Sequence, residues 1–132
     1  MPIASRLIAV ALLSATMSPA SAAPLFDAGS ICRTAVAAMT DRDPKIMQVT
    51  RTVGDVLFLA YARPIDNFVF TYRCRVDGNR VMWASEPGRW RDAPKDDKLL
   101  FEVAGGGKQL RIIVSHRDGS LAKREFDRDA IF

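Results

Sequence analysis

The sequence predicts an α+β domain, with one N-terminal amphipathic helix packed on an antiparallel meander of six or seven strands. The sheet is either open and curved or a partly closed barrel. Three observations carry this. Apolar residues recur at helical spacing between Phe26 and Thr40. From Lys45 onward apolar and polar residues alternate, broken by glycine-bearing turns at hairpin intervals. The only two cysteines, Cys32 and Cys74, fall one in each part.

The chain begins with one basic residue, Arg6, then the apolar run Leu7 to Leu13 and a small-residue tail ending Ala20-Ser21-Ala22. This is the pattern of a signal peptide over residues 1–22, cleaved after Ala22. Its strongly apolar part is far shorter than the ~20 residues a membrane span needs. No cysteine follows the apolar run directly, so no lipid anchor is expected there. Residues 23–132 then form a single disulfide-stapled domain of roughly 110 residues, secreted or periplasmic, whose modest core gains from a covalent staple.

The helix opens at Asp27, an N-cap residue, with Phe26 and Ile31 spaced as a hydrophobic staple. Ile31, Cys32, Ala35, Val36 and Met39 form the buried stripe, leaving Arg33, Thr34, Ala37 and Thr40 on the other side. Pro44 disfavours the α conformation at Asp43 by steric clash, so the helix is expected to end near Thr40 or Asp41.

Two strands follow, Lys45 to Val53 and Val56 to Arg63, joined by a glycine-first turn at Gly54-Asp55. The second is apolar on both faces, the pattern of a central strand covered on each side. After the loop Pro64 to Asn67, Phe68, Phe70, Tyr72, Cys74 and Val76 point one way and Val69, Thr71, Arg73 and Arg75 the other. Asp77-Gly78 reads as a type I′ turn, pairing Cys74 with Val81, Tyr72 with Trp83 and Arg75 with Arg80. Cys74 therefore projects inward, as Cys32 does from the helix. A disulfide between them pins helix to sheet; the wide spacing does not resemble C-x-x-C redox chemistry, and two cysteines with one histidine fall short of a zinc site.

Residues 86–97, EPGRWRDAPKDD, form a long surface loop of the kind that often carries function. Beyond it, Leu99 to Val103 and Leu110 to His116 alternate around Gly105-Gly106-Gly107. Asp118-Gly119 turns the chain into a last, charged edge strand, Leu121 to Phe126. The terminal Phe132 suggests an outer-membrane barrel, but such barrels need at least about eight long strands.

Few residues point to chemistry. His116 is the single histidine and falls at a strand end. The pairs Asp41/Asp43 and Asp96/Asp97 lie in loops where carboxylates titrate normally. Gly105 to Lys108 lacks the spacing of a phosphate loop. No catalytic residue, metal ligand or cofactor is assigned, and a small hydrolase with His116 as base ranks last among the readings. The charge balance, 19 basic against 15 acidic residues with signs interspersed, favours solubility and does not by itself indicate nucleic acid.

Arginine and tryptophan, both enriched at interface hot spots, supply the candidate site. Arg73, Arg75 and Arg80 share the outer face of one hairpin, and Arg89-Trp90-Arg91 sits in the following loop. The expectation is a periplasmic, non-enzymatic binding or accessory protein acting through this basic, aromatic surface on an envelope protein or an anionic polymer. In size, leader and single disulfide the chain resembles, as a class, the bacterial periplasmic lysozyme inhibitors. Their signature loop residues are not found in it, and the likeness implies one alternative, inhibition of an envelope hydrolase.

Overall fold

A computed structural model describes residues 9–12, 14 and 26–132. The leader expected over 1–22 lies, apart from 9–12 and 14, outside the described residues. No helix among them is long and apolar enough to cross a membrane.

Helix α1, Ala28–Thr40, begins where the N-cap pattern places it. The Asp27 carboxylate accepts the Ser30 backbone N–H and hydroxyl, each at 2.7 Å. Phe26 and Ile31 are both buried beside it. The helix stops at Asp41, which adopts the left-handed conformation (φ 53°), and the Arg42 N–H closes on the Ala37 carbonyl at 2.8 Å. Those two Ser30 bonds hold the Asp27 carboxyl below its ordinary range. A lowered folded-state pKa means that its contribution is complete above the unfolded value and fades as pH falls through the folded one. Asp27→Ala is therefore expected to cost about 1 kcal/mol at neutral pH. The difference from the parent should shrink as pH falls below the ordinary aspartate range, read from denaturant midpoints at neutral and at acid pH.

One flank of α1 departs from expectation. Thr34 and Ala37 are fully buried, although the periodicity assigns them to solvent. A 3-10 turn at Pro44–Ile46 and a short helix α2, Arg128–Ile131, which the sequence pattern misses, wrap this side. Arg33 Nη1 bonds to the carbonyls of Pro44 and Ile131, at 3.1 and 3.2 Å. Thr34 is tolerated in the core because its hydroxyl donates to the Ser30 carbonyl at 2.7 Å.

Seven strands follow: β1 Gln48–Val53, β2 Val56–Ala62, β3 Val69–Asp77, β4 Arg80–Ser85, β5 Lys98–Ala104, β6 Gln109–Ser115 and β7 Leu121–Asp127. They pair antiparallel in chain order as one open sheet. The partly closed barrel is not formed, since β1 and β7 remain unpaired edges. The first strand starts at Gln48 instead of Lys45 because the Asp43 carboxylate caps the Lys45 N–H at 2.9 Å, holding Pro44–Ile46 in its turn.

Leu57, Leu59, Tyr61, Tyr72, Cys74, Val81, Leu99, Leu110, Ile112 and Phe126 make the inner face, buried under α1. Cys32 and Cys74 form the disulfide, with Cα atoms 5.9 Å apart and both residues inaccessible. Among the described residues no layer covers the sheet's other face, and β2 is buried on one side and half-buried on the second.

The β3–β4 register also differs from the type I′ reading. Cys74 faces Trp83, Tyr72 faces Ser85, Arg75 faces Met82 and Arg80 faces Asp77. The turn centres on Gly78-Asn79, with only Gly78 at positive φ (58°). A type I′ turn at Asp77-Gly78 needs positive φ at Asp77 as well, which a glycine-first turn avoids. The shift is an even number of residues, so each side chain keeps its face.

Candidate functional site

β3 carries the site because alternate residues, Arg73 and Arg75, project from the uncovered outer face. Trp90, brought back by the 86–97 loop, lies over both: the two guanidinium carbons are 5.0 and 5.4 Å from its ring centroid. Met82 and Ala84, on the same face of β4, are buried. Arg75 Nη2 reaches the Met82 sulfur at 3.4 Å. One row across, Arg51 lies over Phe58 at 4.0 Å. Two guanidinium–aromatic stacks therefore stand side by side on one surface.

The loop is built to hold this arrangement. Glu86 N–H donates to the Thr71 carbonyl at 2.9 Å, and Arg91 N–H to the Trp83 carbonyl at 2.8 Å. Arg73 Nε lies 2.8 Å from Glu86 Oε2, and Arg73 Nη2 donates to the Gly88 carbonyl. Arg89 forks onto both oxygens of Asp96, at 2.7 Å each, and Asp96 also accepts the Ala93 N–H at 3.0 Å. At the far end, His116 Nδ1 lies 3.0 Å from Asp97 Oδ2. β4 and β5 share only two residue pairs before the loop parts them.

The six sequence candidates divide accordingly. Arg73, Arg75 and Trp90 come together. Arg80 shares their face but sits at the turn opposite Asp77, not beside Arg75. Arg89 is spent on Asp96. Arg91 turns to the inner side, its guanidinium carbon 5.9 Å from the Trp83 ring. Asp96 is not the ordinary loop carboxylate expected, for the Arg89 guanidinium holds its carboxyl far below the usual range.

Arg51 and Phe58 belong to the same surface and were missed. The doubly apolar pattern of β2 suggested cover on both faces. The signal was present in the Gly54-Asp55 turn, whose hairpin register places Arg51 opposite Phe58.

Charge divides the outer face into two halves. Over β5 to β7, Arg111 is neutralised by Glu102 and Glu125, the latter at 2.7 Å. Over β1 to β4, Arg51, Arg73, Arg75 and Arg80 project with Glu86 as the ion-pair partner among the described residues. Stacking on a ring fixes the guanidinium plane; Arg73 already spends Nε and Nη2 on Glu86 and Gly88, so the in-plane N–H groups that remain for oxyanions are chiefly those of Arg51 and Arg75. His116 has its carboxylate, but the nearby Ser120 gives its hydroxyl to Asp118 at 2.6 Å and is not a nucleophile aligned with the ring. Among the described residues no cluster of three metal-ligating side chains occurs. Compared with known protein families, curated proteins and solved structures, the chain matches none.

Proposed function

We propose that this is an exported, periplasmic, non-enzymatic binding protein that docks an acidic patch of an envelope protein onto the outer face of β1 to β4. The observation that carries the reading is Trp90 lying over Arg73 and Arg75 beside the Arg51–Phe58 stack. Preorganised arginine and a half-buried tryptophan match the chemistry of interface hot spots, and the forks suit carboxylates. The open, unlayered face supplies the area.

A pull-down from envelope extract with oxidised protein, washed at low and then high salt, tests it. A protein partner retained at high salt is the expected result. Complete loss with salt would replace this reading by binding of an anionic polymer, whose contacts are mainly electrostatic. Trp90→Ala is expected to weaken the retained partner about 30-fold or more with the melting temperature within a few degrees of the parent. Arg91→Ala should leave that partner's affinity nearly unchanged, because Arg91 lies on the opposite side of the sheet.

A further inference from the structure

The inner side of the same loop closes a second feature. Where α1 ends, Met39, Trp83, Arg91, Lys95, Asp96 and Asp97 line a concavity of about 410 Å³. Trp83 is half-buried and Arg91 stands beside its ring. The two carboxylates already have partners, Asp96 in Arg89 and Asp97 in His116. Among the described residues no carboxylate forms an ion pair with Arg91 or Lys95. The rim therefore carries two cations that no carboxylate contacts directly, although Asp96 lies near enough to feel the charge of Arg91, around one aromatic surface.

We propose that this concavity binds a hexose-sized sugar acid, its apolar ring face on Trp83 and its carboxylate between Arg91 and Lys95. The volume lies within the range of small-ligand sites, about 300–1,000 Å³. Four charged residues around a single indole and one methionine are too polar a lining for an aromatic or lipid ligand. A sugar ring instead offers polarised C–H bonds to the negative face of the indole and hydroxyl donors to the carboxylate oxygens of Asp96 and Asp97. A neutral sugar would leave both cations unanswered, whereas a dianionic phosphate would be repelled by those same neighbouring carboxylates. A monoanionic carboxylate is the complement to both facts, and an arginine fork accepts it directly. This goes beyond the outer-face reading and stands on different side chains.

The test uses the intrinsic fluorescence of Trp83, isolated by Trp90→Phe, since the chain has two tryptophans. Titration of that oxidised protein with D-glucuronate is expected to give a saturable change, with D-glucose about tenfold or more weaker. Adding Arg91→Ala or Lys95→Ala, both at exposed positions, should weaken glucuronate by about tenfold while the thermal melt stays unchanged. No saturable response up to roughly 10 mM glucuronate overturns the proposal. Equal responses to glucose and glucuronate, or indifference to both cation deletions, overturn it as well. Oligoglucuronates binding more tightly than the monomer identify the natural source as a polymer, and equal affinity identifies the free sugar acid. The salt-washed pull-down reports the opposite face, so failure here leaves the docking reading standing, and the reverse also holds.

Discussion

Replacing both cysteines, Cys32→Ala with Cys74→Ala, is expected to lower stability by about 4 kcal/mol, the loop-closure value for a cross-link of this span. The bridged residues are 42 positions apart. For a domain whose total stability is on the order of 5–15 kcal/mol this is a large share, and the melting temperature should fall by roughly 15–30 °C. The size of the effect follows from where the bridge sits. It joins the only long helix among the described elements to the third of seven strands, in the middle of the core. Releasing it frees α1 to undock as a unit. Equilibrium unfolding in denaturant with matched slopes measures the loss. A fall of less than about 5 °C would show that Ile31, Ala35 and Val36 hold α1 on the sheet by packing alone.

Arg73→Ala is expected to affect binding more than any other single arginine change on the outer face. Arg73 acts three times: it pairs with Glu86, donates to the Gly88 carbonyl and lies beneath Trp90. Its loss releases the start of the loop together with the stack. Partner affinity should drop about 30- to 100-fold, and amide exchange across residues 86–97 should accelerate, because those hydrogen bonds tie an otherwise exposed segment to the sheet. The core is untouched, so the melting temperature should move by only a few degrees. Arg73→Lys is expected to rescue little of the affinity, since an ammonium keeps the charge but loses the planar fork that serves Glu86, Gly88 and Trp90 together. Wild-type affinity in the lysine variant would show that charge alone matters, which favours a polymeric anion over a docked protein.

Local chemistry and periodicity by themselves determined the start and end of α1 and the inward projection of Cys32 and Cys74. They also determined the face taken by each β3 and β4 residue and the order of the hairpins. Each depends on neighbours a few positions away: the Asp27 cap, the Pro44 clash, the two-residue alternation of a strand and the glycine turns. A register error of two residues at Gly78 left the faces intact for the same reason.

Only the tertiary structure decided which residues of the Arg/Trp set share a surface. Trp90 and Arg91 are adjacent in sequence yet lie on opposite sides of the sheet, because the loop that carries them is anchored by Thr71, Arg73, Trp83 and His116. Those anchors come from two strands, β3 and β4, and from the residue that follows β6, and no spacing rule within the loop encodes them. The flank of α1 beside Thr34 is closed in the same way, since Arg33 is tied to the Ile131 carbonyl of α2, nearly a hundred residues away in the chain. Long-range contacts of this kind are selected by how the elements pack, and a one-dimensional pattern records only what each element requires of itself.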